Sequence, residues 1–211
     1  MWVLKLGGSL YHGAELPRWV NAIASSDDPP VVVPGGGPFA DHVRDAQRRW
    51  GISDKHAHAM ALLAMEQMGR LLCGLHPRLV ACGDVASIRA ALACGQVAVW
   101  MPSRAVLAQP SITADWTVTS DSLSLCLGDD LGARSVVLIK SAELPDGPVS
   151  VGAMQRRGIV DAAFERFAQR LDGMIMLVHC GYDGSLSQLS GGGAGCRLLV
   201  GRRSFTSSFA F

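Results

Sequence analysis

Seven short apolar runs, separated by helix-length amphipathic segments, restrict what this 211-residue chain can fold into more than any other feature. The runs fall at 3–6, 31–34, 78–81, 97–101, 136–140, 174–178 and 197–200. They are apolar along their length rather than at alternate positions, the pattern of strands covered on both faces. Helical spacing fills the intervals at 17–24, 38–50, 55–74, 85–93, 120–131 and 160–171. Such alternation predicts an α/β fold with a mostly parallel sheet and helices on both sides. In sheets of this kind ligands gather outside the carboxyl ends of the strands. The residues that follow each strand are therefore where chemistry is expected.

Four of these junctions are unusual. The first reads Lys5-Leu-Gly-Gly-Ser9. Gly7 and Gly8 let backbone N–H groups come close to a phosphate, and Ser9 adds a hydroxyl donor. Lys5 is a compact cation able to neutralise charge on a phosphoryl group in transfer. A plain tight turn with a surface lysine would have the same sequence. The second junction, Val33-Pro-Gly-Gly-Gly-Pro-Phe39, runs from a strand into Gly35, Gly36 and Gly37, then into a helix with Pro38 in its first turn. The three glycines clear side chains from a helix N-terminus, where free N–H groups attract anions. No Gly-Lys-Ser/Thr follows, so this is not a Walker A loop, and it is not G-x-G-x-x-G.

The third junction is Trp116-Thr-Val-Thr-Ser-Asp-Ser122. Ser120 or Asp121 is a suitable N-cap for the helix that follows. Asp121 also falls on the same side of the sheet as the glycine loops, where a carboxylate can organise Lys5 or Mg²⁺ and orient an acceptor. The fourth places Lys140 and Ser141 at a strand end, within reach of nucleotide phosphates or simply in solvent. In the helix at 55–74, His58 can hydrogen-bond an acceptor phosphate, and Arg44 on the preceding helix offers a bidentate contact. A core histidine and a solvated arginine are the plainer readings. Met60, Met65 and Met68 suit core or dimer packing. No Ser-His-Asp or Cys-His constellation is present, which agrees with phosphoryl transfer, where positioning and charge neutralisation matter most.

Composition narrows the partners. Hydrophobic residues make up 49% and charged residues 18%, enough for a buried core in one compact domain. A formal charge of +1, few aromatics and scattered basic residues exclude a nucleic-acid partner. No apolar run approaches the ~20 residues of a spanning helix, and the chain opens on a strand rather than a leader. No membrane association and a cytoplasmic location are expected. The six cysteines, Cys73, Cys82, Cys94, Cys126, Cys180 and Cys196, show no C-x-x-C pair. They are expected to be reduced core residues, and no protein-bound metal is expected.

In this order, Lys5-Leu-Gly-Gly-Ser9, the glycines 35–37 and Thr119-Ser-Asp-Ser122 resemble the amino acid kinase family over essentially the whole chain. The segments 34–44, 101–104 and 115–124 are similar to a branch of short kinases of methanofuran biosynthesis, which phosphorylate an aminomethyl-furan-methyl phosphate. The resemblance implies a three-layer αβα sandwich forming a single domain over 1–211. The acceptor would bind within about 1–110, and ATP with Mg²⁺ within about 111–211. It implies Lys5 and Asp121 as catalytic residues, with Gly7, Gly8, Ser9, Gly35, Gly36 and Gly37 around the transferring phosphate. Arg44, His58 and Ser120 would face the acceptor, Lys140 and Ser141 the nucleotide, and the protein would be a homodimer. Other acceptors (a nucleotide, an isoprenoid phosphate or an amino acid) and a non-catalytic nucleotide-binding module are the alternatives. The chain departs from the family at Ala142, where an aspartate is usual. The second lysine of the family's acetylglutamate kinases has no counterpart by sequence; beyond Ser141 only Arg156 and Arg157 are in reach.

Overall fold

The computed structural model describes residues 1–191 and 196–199. The strands are β1 (Val3–Leu6), β2 (Val31–Pro34), β3 (Leu79–Cys82), β4 (Val97–Trp100), β5 (Ser135–Lys140), β6 (Val149–Ser150), β7 (Met174–His179) and β8 (Cys196–Leu199). The helices are α1 (Glu15–Ala24), α2 (Gly37–Trp50), α3 (Asp54–Leu75), α4 (Val85–Ala93), α5 (Ser103–Leu107), α6 (Ser120–Leu131), α7 (Val151–Arg156), α8 (Phe164–Ala168) and α9 (Leu186–Ser190). A 3-10 turn, Gly8–His12, follows β1.

The sheet order is β3-β4-β2-β1-β5-β7-β8-β6. Its six strands from β3 to β7 are all parallel, while β8 runs antiparallel to β7 and carries the short β6 at the edge. β1 lies at the centre, with Lys5 opposite Val33 on one side and Leu138 on the other. Alternate residues feed two cores. Val3, Val33, Val136 and Leu138 pack with α4, α6 and α8, whereas Leu4, Leu6, Val137 and Ile139 pack with α1 and α9. These layers make the expected αβα sandwich, with strands buried on both faces.

Three sequence expectations are corrected. The segment 160–171 is not one helix; only Phe164–Ala168 is helical. The Asp161 carboxylate is committed to the start of α6, and the Ala163 amide donates to the Thr117 carbonyl, so the chain before Phe164 is tied down as a turn. Neither Ser120 nor Asp121 caps α6. Thr119 is the extended residue at the cap, with φ −120° and ψ −170°. Cys73, Cys82, Cys94, Cys126 and Cys180 are free, but they are not uniformly core: Cys82 and Cys126 are buried, while Cys94 is exposed on the turn after α4. Val200, the last residue of the seventh predicted run, lies outside the described residues. Among the described residues no helix is long and apolar enough to cross a membrane.

Candidate active site

β1 and β5 are neighbours in register, and side chains alternate between faces. Val3 and Lys5 therefore share a face with Val136, Leu138 and Lys140. That face looks toward α6, whose first turn carries Asp121. The three charged groups meet there. Lys5 Nζ lies 2.8 Å from Asp121 Oδ1, and Lys140 Nζ lies 2.5 Å from Oδ2. The second contact is a well-aligned hydrogen bond. The first is at ion-pair distance but off the hydrogen-bonding direction, leaving Oδ1 without an aligned donor. The chain has three lysines, and two of them are in this cluster.

Lys5 and Asp121 are each only 5% exposed, and the Lys140 side chain 12%. Burial alone would push the Asp121 carboxyl up; the charges of Lys5 and Lys140 outweigh it and hold the group below the usual carboxylate range. Burial, with Lys5 close by, lowers Lys140 to about 8, against the opposing pull of Asp121 and Asp161. Two cations around one carboxylate leave an excess positive charge in a poorly solvated place, which favours an incoming anion.

Above this cluster the two glycine loops are pressed together. A Cβ on Gly8 would stand 2.3 Å from the Gly37 nitrogen, and one on Gly35 2.4 Å from the Gly8 nitrogen. Only glycine permits this backbone-on-backbone approach. Gly37 also has φ +53°, and it opens α2 with Pro38 behind it. Ser9 Oγ and Ser141 Oγ are 2.9 Å apart, joining the first glycine loop to the end of β5.

Two clefts flank Asp121. One, of about 300 Å³, is lined by Gly8, Gly36, Arg44, His58, Trp116 and Ser120, among others. The other, broad and about 740 Å³, is lined by Asp121, Lys140, Gln155, Arg156 and Asp161, with Trp116 and Thr119 common to both. Ser9, Gly35 and Gly37 also line the smaller cleft. Gly7 lines neither; a Cβ there would be 2.9 Å from the Ile139 carbonyl, so it serves packing against β5. Arg44 lies over the Trp116 ring, 4.3 Å from its centroid, and pairs with Asp41 at 2.8 Å. His58 is buried, and burial lowers its pKa although Asp115 pulls the other way. Among the described residues no group of three His, Cys, Asp or Glu side chains is arranged to hold a metal.

Sequence reasoning assigned Lys140 to the nucleotide and sought a second central cation further on. The structure puts Lys140 itself beside Lys5, a meeting foreshadowed by their shared strand parity. Sequence reasoning also missed Asp161, Gln155 and Trp116. Arg156, set aside on sequence, lines the broad cleft, and Arg157 is not among its lining residues.

Residues 1–143 match the family model described as amino acid kinase family. The chain is 29% identical over 140 residues to the (5-(aminomethyl)furan-3-yl)methyl phosphate kinase of Methanocaldococcus jannaschii. That match covers 65% of this chain and 64% of the relative, so slightly less than two thirds of the relative's length is spanned. Among solved structures, uridylate kinase from Archaeoglobus fulgidus aligns with TM-score 0.70 at 17% identity, covering 94% of this chain and 99% of that one. UMP kinase from Ureaplasma parvum aligns with TM-score 0.69 at 12% identity, covering 93% and 97%. At these identities the two structures speak for the fold.

Proposed function

This chain belongs to the amino acid kinase family, and from that membership we propose that it transfers the γ-phosphoryl group of ATP to a small phosphorylated acceptor. The acceptor we favour is an aminomethyl-furan-methyl phosphate, giving a diphosphate in methanofuran-type cofactor biosynthesis. One observation carries the kinase reading: Lys5, Asp121 and Lys140 converge between two clefts, under paired glycine loops. The acceptor identity is supported by the likeness to the Methanocaldococcus kinase, whose substrate is that phosphate.

In this reading the smaller cleft, mostly from the N-terminal half, takes the acceptor. The broad cleft, formed by the C-terminal half, takes ATP. Asp121 sits at their junction. The backbone N–H groups of Gly8, Gly36 and Gly37 receive the phosphoryl group as it passes between them. An acceptor phosphate oxygen forms the new bond to the γ-phosphorus while the bond to the β–γ bridging oxygen breaks, and ADP leaves with that electron pair. Lys5 and Lys140 neutralise the equatorial and leaving oxygens, and Asp121 keeps both ammonium groups aimed. The acceptor oxygen is already anionic at neutral pH, so no general base is required. His58, Arg44 and Ser120 seat the acceptor phosphate, while Arg156 is placed for the nucleotide tail. The Asp121 oxygens are occupied by lysines, which fits Mg²⁺ carried in on the nucleotide phosphates, where it would screen their charge. Met60 and Leu63, exposed on α3, support a homodimer through that helix, which sedimentation would test.

The test is ADP formation from ATP-Mg²⁺ with a panel of phosphorylated acceptors, with and without the aminomethyl-furan group. The furan phosphate should give the highest kcat/KM, and Lys5→Ala should lower it at least ~10²-fold. Undiminished turnover in Lys5→Ala would remove the assigned role. A preference for a nucleotide or isoprenoid phosphate would replace the acceptor.

A further inference from the structure

Asp161 lies in the turn before α8, about forty positions from the helix that it holds. Its carboxylate is fully engaged. Oδ2 accepts from the Thr119 amide at 2.8 Å, the Thr119 hydroxyl at 2.8 Å and the Ser122 amide at 3.0 Å. Oδ1 accepts from the Ser122 hydroxyl at 2.5 Å. Two of these donors are amides at the start of α6 that the helix cannot satisfy itself. Thr119 caps the helix only weakly from within, its own hydroxyl accepting from the Asp121 amide at 3.4 Å. Asp121 stands between the two clamped residues, so its backbone cannot shift without breaking these bonds.

The turn that carries Asp161 is anchored in its own right. Gln155, from α7, donates to the Ala162 carbonyl at 2.8 Å and less closely to the Asp161 carbonyl. Gln155 and Asp161 both line the broad cleft with Lys140. A change in that cleft wall therefore acts directly on the helix start that holds Asp121.

We propose that Asp161 is a positioning residue of the transfer site: it clamps the first turn of α6, fixes Asp121 between Lys5 and Lys140, and is the second carboxylate beside Lys140. The charged groups around Lys140 are Lys5 from β1, Asp121 from α6, and Asp161 and Arg156 from the far wall of the broad cleft. Asp161 helps to keep Lys140 cationic, opposing burial and Lys5. The rate consequences rest on the kinase reading, but the charge consequence does not.

The experiment exploits the three lysines of the chain. Protein labelled with ¹³C at the lysine ε-carbon gives three signals, assigned with Lys→Arg variants and titrated from pH 6 to 11 without substrate. Asp161→Asn is expected to move the Lys140 midpoint lower by several tenths of a pH unit. With ATP-Mg²⁺ and the phosphorylated acceptor it is expected to lower kcat at least ~10-fold, with a smaller change in the KM for ATP. Its alkaline limb should shift in the same direction as the NMR midpoint, and Asp161→Glu should restore part of both. Ser122→Ala keeps the charge and removes one clamp bond, so it should lower kcat several-fold while leaving the Lys140 midpoint in place. If Asp161→Asn does not fold, this second variant decides: kcat within twofold of the parent overturns the proposal. So does a folded Asp161→Asn with an unmoved Lys140 midpoint or an unchanged kcat. A parent protein inactive on every acceptor, with the midpoint still shifting in Asp161→Asn, counts against the kinase reading and supports the link from Asp161 to Lys140.

Discussion

Replacing Asp121 with asparagine removes the one negative charge that both central lysines share, at almost constant shape. Breaking a buried ion pair from one side ordinarily costs ~3–5 kcal/mol, because the surviving charge is left unpaired. For a domain of this size that corresponds to roughly 6–20 °C in melting temperature. The structure places the expected effect at the lower end. Lys140 is already lowered to about 8 with the carboxylate present, so without it the lysine escapes much of the penalty by releasing its proton. The sign follows from linkage. A lysine with a depressed folded-state pKa is a liability wherever both states are charged, below about 8, and the liability fades as pH rises through that value toward 10.5. The variant should therefore lose most stability in acid and least above pH 8. Activity should move the opposite way, because the proposed transfer uses Lys140 in its charged form. The parent rate should fall on the alkaline side with an apparent pKa near 8. Asp121→Asn should lose at least ~10²-fold at pH 7.5 and recover part of it by pH 6. Coupled ADP release from pH 6 to 9, with thermal melts at the same pH values, measures both. A variant within tenfold of the parent at pH 7.5, melting at the parent temperature, would refute the claim that this carboxylate organises the two cations.

Two further predictions concern the smaller cleft. Gly8→Ala puts a methyl 2.3 Å from the Gly37 backbone nitrogen, so the loops must part by about 1 Å; a shift of that size should cost ~10²-fold in kcat/KM. Gly83→Ala, which meets nothing within 4 Å, should leave rate and melting temperature as they are, and equal effects from the two substitutions would contradict close packing of the loops. His58 is buried and shifted below its ordinary value of 6.5, so it is neutral in the free protein at pH 7 and gains a proton as pH falls. The KM for a phosphorylated acceptor should decrease from pH 7.5 to 5.5, and His58→Gln should abolish that slope while leaving the KM for ATP within twofold.

How much of this could be read from sequence depends on the range of the force involved. β1 and β2 fall where the apolar runs put them, because strands buried on both faces leave no polar interruption to misread. α4 and α6 begin and end as expected, each entered through a residue with a capping side chain, Asp84 and Thr119. At the start of α6, four residues of capping type stand consecutively, from Thr119 to Ser122, and only the backbone angles choose Thr119 among them. The glycine loops were visible as composition, but their mutual contact was not, since Gly8 and Gly37 meet only after β1 and β2 pair. Lys140 was visible as a residue and obscure as a partner. Its meeting with Lys5 depends on the register that sets Lys5 against Leu138, which a single sequence does not fix. Asp161 left no local signal at all. It sits in a stretch with helical spacing, and the force that keeps that stretch from becoming helix is its carboxylate reaching back to Thr119 and Ser122.

The position of the site follows from the strand order. From β1 the chain moves to β2 and β4 on one side of the sheet, then returns to place β5 on the other. Connections leaving the carboxyl ends of β1 and β5 therefore diverge, and an open parallel sheet has its crevice at such a point. Lys5 and Lys140 are at the ends of those two strands, so the crevice is lined with positive charge before any loop is considered. Two like charges cannot be brought together there without a counter-charge from a third element. α6 supplies it: its N-terminus faces the crevice and brings Asp121 with it. The dipole at that end also favours the carboxylate. This arrangement leaves a net cationic centre only while the start of α6 is held in place, and in this chain the holding residue comes from the broad cleft, the side proposed above for the nucleotide. If the broad cleft takes ATP as proposed, affinity for the triphosphate and the aim of the two lysines are mechanically coupled. A substitution in the turn around Asp161 is expected to affect turnover more than its distance from the transferred phosphate would suggest.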